Sequence, residues 1–329
     1  MAGFRIHGVG PIDLRAIPHP AVTVAVEFAG RPFDIHGAGG PLRSQSLAAG
    51  LAFSPFQVRA ESIECVQIRL SPLAAHPMLG LSLAELRGSV IALDDLWGRD
   101  ALRLRERLHH ARTWPERFAL IGTELMTRLQ AGQVVDTEVA WAWRQIVASH
   151  GRARVSDLAA QTGWSRQRMW SRFGSQIGLP PKHAAMLVRF DHAVHRLVEG
   201  HTPAQVAADG GYADQSHLHH DVRVFTGTTP AAAANEPWLA ADDTAWPVHG
   251  GVAVSPRAVR ALKTLDTRAV VSETVVGEGS HVAGMRIGDQ FPRCRHSPAP
   301  TARPPTEVTT ESLYPAIAPH LLRTLRSIE

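Results

Sequence analysis

The sequence predicts an α+β domain, then an all-α domain, then a tail without a core. Three observations carry this prediction. The hydrophobic period changes from two to 3.6 near residue 72, a pattern of short helices repeats once between residues 137 and 236, and the signal decays after Pro237. The length of 329 residues suits about two domains, and a hydrophobic content of 44% supports a buried core.

Within the first domain, residues 22–28 are β-branched and bounded by Pro20 and Gly30, as a strand should be. Residues 56–70 alternate, with Ile63, Cys65, Gln67 and Arg69 marking a period of two that stops at Ser71-Pro72. Gly37, Gly39 and Gly40 predict a turn; no Lys-Ser/Thr follows to make them a phosphate-cradling loop. From Leu73 the pattern is helical: Leu102, Leu104 and Leu108, then Phe118, Ile121, Leu125 and Leu129, with Pro115 opening the second helix. Domain boundaries follow at 1–132, 133–236 and 237–329, with 133–136 as a connector. A helix is expected over 137–149, with at least one of Trp141 and Trp143 in the core. Residues 292–305 are rich in Pro and Arg and are read, with the rest of 237–329, as a largely disordered extension, a last amphipathic piece at 316–328 apart.

The repeat is the informative feature. Ala159-x-x-x-Gly163 recurs as Ala207-x-x-x-Gly211, and Gly178-x-x-Pro181 as Gly227-x-x-Pro230. Two closely crossing helices need a small residue at the contact and a turn that accepts positive φ, which these Ala and Gly positions supply. Met169, Phe173 and Ile177 form the apolar stripe of the second helix in one copy, and Leu218, Val222 and Phe225 in the other. Each copy is therefore a helix-turn-helix. The remaining faces hold Arg166, Gln167, Arg168, Trp170, Ser171 and Arg172, and then Gln215, Ser216, His219, His220 and Arg223. Arg and Gln suit bidentate contacts to guanine and adenine edges, and Ser, His and Arg suit phosphate oxygens. Residues 181–200 form a linker helix with Leu187, Phe190, Val194 and Leu197 inward and Gly200 as cap. It is about 28 Å long at 1.5 Å per residue, near the roughly 34 Å between successive major-groove faces.

Residues 137–236 resemble the DNA-binding domain of the AraC/XylS family of bacterial transcription regulators. The segments that carry the resemblance are Val155-Ser156-Asp157-Leu158-Ala159 leading to Gly163-Trp164-Ser165, residues 189–197, and above all Gly211-Tyr212-Ala213-Asp214-Gln215-Ser216-His217, followed by Phe225-Thr226-Gly227 and Pro230. Residues 81–97 and the helical hairpin after them resemble the sensor half of some such regulators. The resemblance implies binding of double-stranded promoter DNA, allosteric control by residues 1–132, and as further candidate partners RNA polymerase, a small-molecule effector and a second copy of the chain. The family pattern places aromatics where Leu218 and Val222 stand, a basic residue where His220 and Val224 stand, and a Tyr-Arg pair where Ala233 and Ala234 stand. The second copy is thus less basic, and residues 136–236 hold ten Lys and Arg against nine Asp and Glu.

Other chemistry finds little support. The whole chain carries 34 Lys and Arg against 30 Asp and Glu, a net charge of +4, which allows a local basic face without a strongly basic chain. Cys65 and Cys294 form no CxxC or zinc-type pair and fit a reducing compartment. A DNA alkyl-damage sensor using one of them as acceptor is the alternative reading, prompted by Pro292-Arg293-Cys294-Arg295-His296; a helical interaction module with degenerate DNA binding is a third. His217, His219 and His220 do not share a helix face as metal ligands would, and His109-His110 suits a solvated face. Trp97 and Trp114 are expected to be structural. No cofactor, metal or catalytic residue is assigned. No apolar run approaches the roughly 20 residues of a membrane span, and residues 1–10 lack the apolar stretch of a signal peptide, so the expectation is a cytoplasmic chain with no membrane partner.

Overall fold

The computed structural model describes residues 1–37 and 39–235, the side chains of 7–10 excepted, and the backbone of 275–276. Seven strands and four helices build the first half: β1 (Ala2–Ala16), β2 (Val22–Glu27), β3 (Phe33–Gly37), β4 (Gly40–Ser44), β5 (Ser46–Ala49), β6 (Phe56–Leu70), α1 (Pro72–Leu79), β7 (Val90–Ala92), α2 (Leu93–Trp97), α3 (Arg99–His110) and α4 (Trp114–Ala131). The strand β6 is the spine of a barrel-like antiparallel sheet. Along one edge it pairs with β1, with a register shift between His7 and Ile12. Along the other it pairs first with β3 and then with β2. The order β4-β3-β6-β2-β5-β7 continues from there, and a two-residue strand, β8 (Val275–Val276), pairs with Ala2 and Gly3.

Alternation along the strands sends side chains to two cores. Val22, Val24, Val26, Val66, Ile68 and Leu70 join a large core shared with the helices, whereas Ala25, Ile63 and Cys65 join Phe33, Ile35 and Leu47 in a smaller one. The expected strands at residues 22–28 and 56–70 and the glycine turn between β3 and β4 are therefore present; β1 and β7 had no comparable signal. Ser71 caps α1, and Thr113 with Glu116 forms a capping box at α4, where Pro115 occupies the first turn. Arg117 reaches back from α4 to donate to the Leu108 and Ala111 carbonyls at the end of α3, at 3.1 and 2.9 Å. Trp97 and Trp114 are buried and covered by Arg128 and Arg117, a structural use. Two details differ from expectation. Leu102 is exposed because Ala101 takes the inward position beside Leu104 and Leu108, and His109 is not merely solvated, since its Nδ1 lies 2.8 Å from the Phe28 carbonyl.

The second half is helical: α5 (Thr137–Ala148), α6 (Val155–Thr162), α7 (Arg166–Ile177), α8 (Pro181–Val198), α9 (Pro203–Asp209), α10 (Gln215–Thr226) and α11 (Pro230–Ala233). The turns after α6 and α9 contain Gly163 at φ 68° and Gly211 at φ 74°, the left-handed conformation that the repeat required. The helix α8 ends on Glu199 as cap, one position earlier than expected, with Gly200 following at φ 97°. The large core is continuous from the sheet through Leu83, Leu86 and Leu125 to Trp143, Phe173, Phe190 and Phe225, so the halves share it. Apart from the backbone of β8, the reading of residues 237–329 as a tail lies outside the described residues.

Candidate nucleic-acid interface

The two helix pairs, α6 with α7 and α9 with α10, are built alike. In the first, Leu158 and Ala159 of α6 meet Met169, Phe173 and Ile177 of α7, all buried. In the second, Val206 and Ala207 of α9 meet Leu218, Val222 and Phe225 of α10, again buried. Each second helix begins with a side-chain cap. Ser165 Oγ accepts from the Arg168 amide at 3.2 Å, and Asp214 Oδ1 from the His217 amide at 2.8 Å. The helix α5 backs the first pair, its buried Trp143 ring 6.5 Å from that of Phe173.

The helical period then leaves the opposite faces to solvent. Arg166, Gln167, Arg168, Trp170, Ser171 and Arg172 are all exposed on α7, and Gln215, Ser216, His219, His220 and Arg223 on α10. Trp170, at 47% exposure, is a large apolar surface with no core role. Two of the arginines already have partners. Arg168 lies over the Trp164 ring at 4.5 Å, which leaves its N–H edge open. Arg172 is held in a fork by Asp136, Nε and Nη2 each at 2.7 Å. The same Asp136 donates its backbone N–H to Gln176 Oε1 at 2.9 Å, so the connector at 133–136 is bound to α7. On α10, Gln215 Nε2 and His219 Nε2 are 3.4 Å apart, one turn from each other.

Sequence reasoning missed the charged network beneath the second pair. Arg189 of α8 donates from Nη2 to Asp221 Oδ2 at 2.7 Å, and Asp221 is 1% exposed. The Arg189 guanidinium also lies 4.7 Å over the buried Tyr212 ring, and the His217 ring stands edge-on to Tyr212 at 5.2 Å. Burial pushes the Tyr212 hydroxyl well up from its ordinary range. A signal was available in the apolar stripe, because Asp221 adjoins Leu218, Val222 and Phe225. The three neighbouring histidines do not converge: His217 turns to Tyr212, while His219 and His220 are exposed. Among the described residues no group of three or more His, Cys, Asp or Glu could hold a metal ion. Cys65 is a poor acceptor, since burial first and the charge of Glu27 second push its thiol well above the ordinary value; Cys294 lies outside the described residues.

A family model described as a helix-turn-helix domain matches residues 158–236. The uncharacterized HTH-type transcriptional regulator YbfI of Bacillus subtilis is 33% identical over 64 residues, which are 20% of this chain and 23% of that one. The chain thus spans about a quarter of the length of the curated relative it matches. Among solved structures, ToxT from Vibrio cholerae superposes with a TM-score of 0.42 at 11% identity, over 70% of this chain and 96% of that one. A ToxT structure with an unsaturated fatty acid bound gives 0.41 at 11% identity, over 71% and 94%. Residues 158–236 are a helix-turn-helix domain.

Proposed function

We propose that the protein is a transcription regulator that binds double-stranded promoter DNA through two helix-turn-helix motifs, with α7 and α10 as the reading helices. The observation that carries this is their common design. At an offset of 49 residues, two 12-residue helices bury one apolar stripe completely and present Arg, Gln, Trp, Ser and His on the opposite face. Phosphate contacts come from Arg166, Arg168 and Arg223, and from Arg172 once its pair with Asp136 opens. Gln167, Trp170, Gln215, Ser216 and His219 read base edges and thymine methyl groups, flanked by Ser171 and His220. At 18 residues and about 27 Å, α8 spaces the two reading helices near the separation of consecutive major-groove faces.

Residues 1–132 are the sensing or pairing half, 133–236 the DNA-binding half. The continuous core supports control of one by the other, because a shift in the sheet meets packed side chains all the way to Phe173 and Phe225. Phe33, Ile35, Leu47 and Ile63 fill the smaller core, and the pocket beside it, which includes Ile35 and Phe56, has a volume of about 10 Å³, room for a single water. A cleft of about 310 Å³ between Arg15, His36, Phe56 and Gln57 of the sheet and Thr226 and Gly227 at the end of α10 is the better place for a small effector.

The test is binding of the purified full chain to the duplex upstream of its own coding sequence, against scrambled competitor and across salt concentrations. The expected result is selective binding whose log affinity falls linearly with log salt. Equal affinity for the scrambled duplex would leave an interaction module without sequence recognition.

A further inference from the structure

Both reading helices are anchored at their C-terminal ends by side chains of the other half. The last four carbonyls of a helix have no partner within it and carry its partial negative charge. At the end of α7, Arg87 Nε donates to the Gly178 carbonyl at 2.9 Å and Ser82 Oγ to the Ser175 carbonyl at 3.0 Å. A Cβ at Gly178 would sit 3.0 Å from the Leu83 carbonyl, so the 82–87 segment lies directly against this end. At the end of α10, Arg15 Nη1 donates to the Thr226 carbonyl at 3.2 Å. Phe53 adds an apolar contact, its ring 5.5 Å from Phe225 and 4.9 Å from His183.

The arginine anchors adjoin one sheet. Arg15 is in β1, in register with Gln57 of β6. Arg87 precedes β7, which pairs with β5, and β5 pairs through β2 to β6. The ends so held are opposite to the starts of the helices, where Arg166 and Gln167, and Gln215 and Ser216, are exposed. Each helix is about 18 Å long, so a small tilt at the anchored end displaces the reading end by several ångström. Were α8 the sole coupling, the two helices could rock about it. We infer that Arg87 and Arg15 are positioning residues that set the angle and separation of α7 and α10, and with them the half-site spacing the protein accepts. This rests on the duplex-reading role proposed above.

The experiment compares wild type with Arg15→Ala, Arg87→Ala and the two Lys variants on the upstream duplex and on that duplex with about 5 base pairs, half a helical turn, inserted between the two protected segments. Wild type should lose about tenfold or more in affinity on insertion; each Ala variant should bind the parent duplex more weakly, yet lose less than about threefold further on insertion. Lys, which keeps the donor, should restore the spacing penalty. Ala variants that keep the full penalty, or that weaken both duplexes by the same factor, would overturn the assignment and leave a structural role only. Should wild type select no duplex, the reading itself fails, and backbone amide exchange decides the anchors separately. Faster exchange near 175–179 in Arg87→Ala alone, and near 224–228 in Arg15→Ala alone, supports two independent anchors; no local change refutes them.

Discussion

The seventh residue of α7 is Arg172 and the seventh of α10 is Asp221, equivalent positions in the two helix pairs. Both tie the reading helix to a neighbour by an ion pair, with opposite sign and opposite burial. Arg172 has 51% of its side chain exposed and reaches outward to Asp136, whereas Asp221 is 1% exposed and turns inward to Arg189 of α8. One backbone plan thus tolerates two solutions: an exposed clasp to the connector, and a buried clasp to the linker helix. Their energetics should differ sharply, because removing one partner of a buried pair strands an unsolvated charge, while an exposed pair trades its contacts for water.

The largest effect is therefore expected at Asp221. Asp221→Ala should cost about 3–5 kcal/mol of unfolding free energy, since Arg189 would be left buried without its acceptor. Arg189→Met combined with Asp221→Leu should cost much less than the sum of the single changes, as an apolar pair of similar volume leaves no stranded charge. Denaturant unfolding of the four proteins checks both. A loss below about 1 kcal/mol for Asp221→Ala would erase the contrast between the pairs.

This contrast was not legible in the sequence, although the frame around it was. Local period revealed β2, β6 and the stripes of α7 and α10, because burial there repeats every two or every three to four residues. By contrast, β1 is broken by Gly8, Gly10 and Pro11 near a register shift, so its pairing with β6 leaves no alternation to see. The apolar spacing of Leu102 and Leu104 misled, since two residues apart on α3 they cannot both face inward. The exposed faces of the candidate interface followed from the stripes opposite them. The pairs Arg189 with Asp221, Arg87 with Gly178 and Arg15 with Thr226 span 32, 91 and 211 residues, and no periodicity encodes which distant partner an arginine meets.

Next in size is an effect on DNA rather than on folding. The first exposed face carries three arginines, the second one arginine and two histidines, so the first should dominate affinity. Gln167→Ala is expected to cost about 1–3 kcal/mol of binding free energy at the adenine it reads, and to relax selectivity at one base position. Arg223→Ala should weaken all sequences alike and lower the salt slope by about one. Equal losses at both helices, measured by anisotropy titration, would remove the asymmetry.

Acid should separate the two sides of α8. On the side of α5, the His150 and His192 rings stack at 4.1 Å. Burial first, then His150, Arg196, His195 and Arg152, lowers His192 from 6.5 to about 4, and burial lowers His150 as well. Because the folded value lies below the unfolded one, the unfolded chain binds the extra proton between them. Stability is then fully present above about 6.5 and is lost as pH falls towards 4. Allowing for partial exposure, the loss attributable to His192 should be about 1–2 kcal/mol. His192→Gln should flatten this part of the stability profile; an unchanged slope would assign the loss to other groups.

The smallest effect on stability belongs to the exposed clasp. Arg172→Ala should change unfolding free energy by about 0–1 kcal/mol. It should still be visible at Asp136, whose carboxyl is held below its ordinary value chiefly by the hydrogen bond from Arg172. The stabilisation is present above the ordinary carboxylate range and lost as pH falls through the depressed value, and Arg172→Ala should shift that titration upward in an NMR experiment. The clasp also bears on DNA. With Nε and Nη2 of its guanidinium both occupied by Asp136, Arg172 should contribute less to the salt slope than Arg166 does. Asp136→Ala frees the guanidinium and should steepen the slope by up to about one. A slope that instead stays level in Asp136→Ala and drops by a full unit in Arg172→Ala would mean that the clasp already opens on DNA, so that in the first pair, unlike the second, a structural residue becomes a reading residue on the duplex.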